Sequence, residues 1–230
     1  MELFCYQAEC GDAIRIRFIG DDEKPHNIFL DSGYERTYRK VLRQVINDLI
    51  QAGECIDLWI ISHIHDDHIG GVMKYIKSVE DKEIEDITRE WFYNPPRQEA
   101  VVYDKRQEAV SSAMSISQGD KLYNFLRLNN KLPKKDITTD LGTVDRFGMK
   151  IHILSPTSSI ITELRDKYKT EIPFQTNEIE EISSAKAIAQ NDYNKNIEEF
   201  NLDRFNEDKS LENKSSVVIS KFTMYKKWQC

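Results

Sequence analysis

The sequence predicts an α/β (α+β) domain, and three stretches predict it. Ile56 to Ser62 is a nearly continuous apolar run, as in a buried strand, and a helix from Ile69 to Val79 follows it, opening on Gly70 and Gly71. In Ala13-Ile14-Arg15-Ile16-Arg17-Phe18, apolar residues alternate with charge, the pattern of a half-buried strand. Tyr38 to Ala52 carries Leu42, Val45, Ile46 and Leu49 on one helical stripe and stops at Gly53. Open α/β architectures place their chemistry where a strand ends ahead of a helix. Here that position holds three of the five histidines.

The remaining elements follow in order. Leu3 to Ala8 reads as a first strand, joined through Gly11-Asp12 to the strand Ala13 to Ile19. Asp21 to Pro25 is a charged turn, and His26 is expected to sit in it as an exposed loop histidine. Asn27 to Leu30 is a third strand that leads into Asp31. Arg36, Arg39, Lys40 and Arg43 lie opposite the apolar stripe of the helix; a solvated face is expected, with contact to phosphates as the functional alternative. After an acidic loop from Asp81 to Asp86, Trp91-Phe92-Tyr93 reads as a short core strand stopped by Pro95-Pro96. Gln98 to Ser117 reads as helical, and Gln118 to Leu128 as a helix that packs through Leu122, Phe125 and Leu126. Gly142 to Asp145 and Met149 to Leu154 form a hairpin, with His152 as a hydrogen-bonded strand histidine on the face of Leu154. A helix starts after Pro156, near Ser158 to Tyr168. From about 173 to 214 the chain turns rich in Asn, Ser and Glu, a polar insertion with a helix near Glu178 to Ala189. Ser215 to Phe222 alternates as a strand, and Tyr225 to Cys230 begins another.

With 230 residues and 40% hydrophobic content, this is one domain, 1–230, carrying that insertion. A net charge of −7 argues against coating a long polyanion, though a local basic patch still holds one. The four cysteines, Cys5, Cys10, Cys55 and Cys230, make no CxxC pair and point to a reduced, cytoplasmic chain. Met1-Glu2-Leu3-Phe4 has neither a basic nor an apolar leader region, and no apolar run nears the roughly 20 residues that span a bilayer, so no membrane association is expected.

The chemistry concentrates in His63-Ile64-His65-Asp66-Asp67-His68. Residues two apart in an extended segment point to the same side, so both His63 and His65 can reach one cation. Asp67 and His68 are adjacent, and a tight turn sends them toward a second cation. Zinc takes imidazole nitrogen and carboxylate oxygen, and a catalytic site keeps one position open for water. Two metals roughly 3.5–4 Å apart share a hydroxide and clamp the attacking and leaving oxygens. Gly70 and Gly71 are expected to let the backbone pass close to the metals.

The His-x-His-x-Asp-His pattern resembles the metallo-β-lactamase superfamily. Asp31-Ser32-Gly33 after the third strand matches a turn of that family. Gly11-Asp12-Ala13-Ile14, Ile153-Leu154-Ser155-Pro156 and Asn213-Lys214-Ser215-Ser216-Val217-Val218 narrow the likeness to its ComEC-type branch, whose best-known member handles DNA during uptake.

The resemblance implies an αββα sandwich of two half-domains. It implies a dinuclear Zn2+ site, with Mn2+ as the alternative, in which His63 and His65 bind the first metal and Asp67 and His68 the second. Asp31 supports that site without touching the metal, and Asp67 also orients the hydroxide that attacks. The implied reaction is hydrolysis of a phosphodiester, in nucleic acid or a small molecule. The family's bridging aspartate and last histidine come later than Cys230, so the expectation is a domain whose second half is incomplete. Its exposed carboxyl-terminal edge then suits a homodimer or a partner chain. The competing expectation is a non-catalytic metal-binding or scaffold protein, or an inactive fragment of such a hydrolase.

Overall fold

The structure, a computed structural model, describes residues 1–98, 111–170 and 210–224. Its first sheet has five strands in sequential order: β1 (Glu2–Cys5), β2 (Ala13–Ile19), β3 (Pro25–Asp31), β4 (Ile56–Ile60) and β5 (Thr88–Phe92). The first two pairings are antiparallel and the last two parallel. A second sheet holds β6 (Thr143–Arg146), β7 (Met149–Ser155) and β8 (Val218–Met224), antiparallel throughout.

Two cores account for the layers. Ile16, Phe18, Ile28, Leu58, Ile60 and Phe92 of the first sheet meet Met149, Ile151 and Ile153 of the second. On the other face, Phe29, Trp59, Ile61 and Trp91 meet the helices α2 (Arg43–Ala52), α3 (Asp66–Glu80), α4 (Ser111–Leu128) and α5 (Ser158–Thr170). Strand β4 is therefore covered on both faces, which is why it reads as a continuous apolar run rather than an alternating one. Trp59 stacks on Trp91 with ring centroids 5.2 Å apart and sits 5.1 Å from Tyr75 of α3. Each such aromatic pair adds about 0.5–1.5 kcal/mol beyond area burial. Among the described residues the layers run helix, sheet, sheet, the αββ part of the expected sandwich. No helix there is long and apolar enough to cross a membrane.

Several expectations shift. The first strand is shorter, Glu2–Cys5, and the motif helix begins four residues before Gly70, at Asp66. The helix predicted at Tyr38 is preceded by the short turn α1 (Glu35–Thr37) and a π-helical turn at Tyr38–Leu42; it ends, as read, at Gly53 with φ +68°. His26 is not an exposed loop histidine: it lies within β3, 3% exposed, stacked on Phe147 at 3.6 Å and bonded to Asp22 Oδ1 at 2.9 Å. Strand β3 starts at Pro25, two residues earlier than the apolar pattern indicated, and that draws His26 inward. His152 is hydrogen-bonded, as expected, to Thr143 Oγ1 at 2.7 Å. The basic helix face is met by carboxylates: Arg36 by Glu9, Arg39 by Glu35, Arg43 by Glu83. The insertion lies outside the described residues except for its end, where α6 (Leu211–Lys214) forms. The helix near Glu178 and the strand from Tyr225 lie outside them as well.

Candidate metal centre

Three segments converge where β3 and β4 end. The backbone leaves β3 at Asp31, whose φ of +50° bends it sharply inward. Trp59 holds that bend from the core, its Nε1–H donating to the Asp31 carbonyl at 3.1 Å. The second segment runs from Ser62 to His68 and enters α3 directly, with His65 extended as the residue before the helix. The third is the Gly11-Asp12 connection between β1 and β2. A Cβ on Gly11 would lie 1.7 Å from the Asp67 carbonyl oxygen, so only glycine allows this approach. The Gly33 amide donates to the Asp12 carbonyl at 2.8 Å, and the Ser32 amide to the His68 carbonyl at 2.9 Å. Gly71 permits similar crowding against Ser32, whose carbonyl oxygen would be 2.4 Å from an added Cβ. The motif glycines thus serve the packing of α3 on the Ser32–Glu35 loop, rather than an approach of backbone to metal.

His63 and His65 share one side, as their spacing predicts. His63 Nε2 lies 3.1 Å from His65 Nδ1. Two nitrogens held about 2.0–2.1 Å from one zinc at a tetrahedral angle lie roughly 3.3 Å apart. The pair therefore fits a single cation with little adjustment.

The ring orientations are fixed from behind. Asp31 accepts three hydrogen bonds: from the Ser62 amide at 2.7 Å, the Ser62 hydroxyl at 2.6 Å and His68 Nδ1 at 2.8 Å. Because the Ser62 hydroxyl gives its one proton to Asp31, it accepts from His63 Nδ1–H at 2.9 Å. Ser216 Oγ also lies 3.2 Å from His63 Nδ1. Both His63 and His68 thereby carry their proton on Nδ1, which leaves Nε2 as the donor to a cation.

Burial pushes the Asp31 carboxyl up, against the opposing pull of the His68 and Ser62 hydrogen bonds. For His68, burial pushes down, and the Asp31 hydrogen bond and charge, with Asp67 and Asp12, outweigh it and raise the imidazole.

Asp67 and His68 occupy the first turn of α3, where successive residues diverge by about 100°. His68 Nε2 lies 3.7 Å from Asp67 Oδ2. Gln118 Nε2 donates to Asp66 Oδ1 at 2.7 Å and ties α4 to this turn. Asp12, Asp31 and His68 each bring a ligand-type atom within 4.8 Å of the others. His63 and His65 thus face each other, Asp67 lies beside His68, and Asp31 stands behind His68; among the described residues, the group of three whose ligand-type atoms all come that close is Asp12, Asp31 and His68. Sequence reasoning missed Asp12, Ser62 and Ser216 as members. The Gly-Asp dipeptide between two strands and the paired serines ahead of the last strand were the available signals. Imidazole with carboxylate donors suits a divalent cation such as zinc or manganese.

A sandwich that carries this histidine and aspartate cluster at the ends of β3 and β4 defines a class, the metal-binding domains built on an αββα frame. The chain belongs to the metallo-β-lactamase superfamily, whose family model matches residues 11–167. Members of that superfamily are typically metal-dependent hydrolases. A comparison with curated proteins found no match. Among solved structures, a metallo-β-lactamase from Pontibacter korlensis is similar at 13% identity with a TM-score of 0.25, covering 66% of this chain and 60% of its own. The chain thus spans less than two thirds of that relative, and the assignment rests on the family match.

Proposed function

We propose that the chain hydrolyses a phosphodiester, in nucleic acid or a nucleotide, with divalent cations held by His63 and His65 on one side and Asp67 and His68 on the other. The observation that carries this reading is the facing of His63 Nε2 and His65 Nδ1 at 3.1 Å, with His63 Nδ1 against the Ser62 hydroxyl. Zinc, or manganese, supplies there an acidified water and a Lewis acid for the scissile bond. The chain's own part is positional. Asp31 and Ser62 keep both Nε2 atoms unprotonated, Asp67 orients the attacking water, and Asp12 adds a carboxylate beside His68. The substrate class follows the ComEC-type pattern of Gly11-Asp12-Ala13-Ile14 and Ser215-Ser216. Free Cys5, Cys10 and Cys55 support a cytoplasmic setting. β8, at the edge of the second sheet among the described residues, is where a second copy or a partner chain would add a strand.

Turnover of bis-p-nitrophenyl phosphate tests the reading. Activity should disappear with chelator, return with zinc or manganese, and be absent in His65→Ala, while the melting temperature of metal-free protein barely moves. An undiminished His65→Ala enzyme refutes it.

One observation favours a second reading, a non-catalytic metal-binding protein. The two remaining histidines are committed elsewhere, His26 to Asp22 and His152 to Thr143. Metal bound at a fixed stoichiometry, with no turnover of any phosphodiester, would decide for it.

A further inference from the structure

A second concave site lies away from the metal centre, along the outer edge of β5. It is a groove of about 490 Å³ between β5, the segment 130–137 and the β6 strand. Its rim carries five cations, Arg89, Lys131, Lys134, Lys135 and Arg146, and one carboxylate, Glu90. Glu90, Asp86 and Asp57 each pair with one of them, which leaves the charge of Lys134 and Lys135 uncompensated on a chain whose net charge is −7. The floor is apolar, built from buried core side chains that include Phe92 and Ile137.

Three of the five cations are paired and held in place, and two carry unpaired charge. Glu90 takes Arg146 through two bonds of 2.6 Å and holds its guanidinium 5.7 Å from the Phe92 ring. Lys131 is fixed by Asp86 at 2.6 Å and by the Thr88 carbonyl at 2.5 Å. Arg89 leans on Asp57 at 3.2 Å and stays largely exposed. Lys134 and Lys135 are exposed and have no ion pair among the described residues. Asn94 anchors the 130–137 wall through two 2.8 Å bonds to the Ile137 backbone, so the groove has a fixed width. Arg89, held by Asp57, needs little further ordering to meet an anion, and Lys134 and Lys135 on the rim bring the unpaired charge. The volume falls in the range of small-molecule sites.

We propose that this groove binds a phosphate ester of nucleotide size, with the phosphate among Lys134, Lys135 and Arg89 and the body of the ligand over the apolar floor. The ligand is either a free nucleotide or the phosphorylated end of a strand. The site does not depend on the hydrolytic reading, because none of its residues belongs to the metal centre.

Titration calorimetry on the full chain tests it, with AMP, adenosine and a 5′-phosphorylated trinucleotide as probes, each with and without chelator. AMP or the trinucleotide should bind with chelator present, adenosine should bind at least tenfold more weakly, and affinity should fall steeply with salt. A K134A/K135A variant, which removes no core or paired side chain, should bind about tenfold more weakly. Equal affinity for AMP and the trinucleotide identifies the free nucleotide as ligand, and a clear preference for the trinucleotide identifies the strand end. Binding that vanishes with chelator, that ignores the two lysines, or that does not occur at millimolar probe overturns the proposal. Phosphodiesterase activity lost in His65→Ala with AMP binding intact would separate the two sites.

Discussion

Replacing Asp31 by Asn tests how the centre sets the chemistry of its histidines. The carboxylate is buried, 4% exposed, and accepts three hydrogen bonds, two of them from Ser62 and one from His68. The asparagine carbonyl keeps the bond from the Ser62 amide. Its NH2 then faces two donors, the Ser62 hydroxyl and His68 Nδ1–H. Ser62 can turn its hydroxyl proton toward His63 Nδ1, 2.9 Å away, and accept from the amide instead. That moves the His63 proton to Nε2, the nitrogen turned toward His65. His68 keeps a partner only by the same switch, accepting the second amide N–H on Nδ1 and carrying its proton on Nε2. The cost is the loss of the carboxylate charge from the three bonds it accepts, about 2–4 kcal/mol in total. For a chain of this size that corresponds to a fall of roughly 5–15 °C in the melting temperature of metal-free protein. Metal affinity should fall about 10–100-fold, because the tautomers are no longer fixed. Differential scanning calorimetry of metal-free protein reads the first effect and competition with a chelating dye the second. An Asp31→Asn variant that binds metal as tightly as the natural chain would refute the tautomer relay, whatever its stability.

Gly11→Ala should destabilise by about 2–3 kcal/mol, because the new Cβ meets the Asp67 carbonyl at 1.7 Å and the strand connection or α3 has to shift; urea unfolding measures it, and a neutral result would mean the two segments do not touch. Asp12→Asn should lower metal stoichiometry or affinity at the His68 side and leave the fold unchanged, read by elemental analysis and circular dichroism; full occupancy in the variant removes Asp12 from the ligand set. The Arg17 hydrogen bonds hold Glu54 below the usual carboxylate range, against the upward push of its burial. A lowered folded value means that this pair contributes stability above the ordinary carboxylate range and loses it as pH falls through the lowered value. Glu54→Gln should therefore cost about 1 kcal/mol at pH 7. At pH below that lowered value the variant should match the natural chain, and an unchanged gap there would contradict the assignment.

Some of this protein is written locally. The two-residue spacing of His63 and His65, the continuous apolar strand before them and the helical stripe of Leu42, Ile46 and Leu49 each follow from the period of a strand or a helix, and all three hold in the structure. Asp31 was singled out through the resemblance of Asp31-Ser32-Gly33 to the family's turn after an earlier strand. Other features depend on where distant segments land. Ser216 lies 153 positions from the histidine it touches. Asp12 joins the centre because Gly11 lets its loop rest on Asp67. His26 reads as a loop residue until β3 extends over it and Phe147 covers its ring. The cations of the β5 groove come from three stretches, none of them basic enough to stand out along an acidic chain. Periodicity and residue chemistry act between neighbours in sequence, and they set the elements and the facing of His63 and His65. The hydrogen bonds that set proton positions and the charges that line a groove act between neighbours in space, and only the packed sheets bring those together.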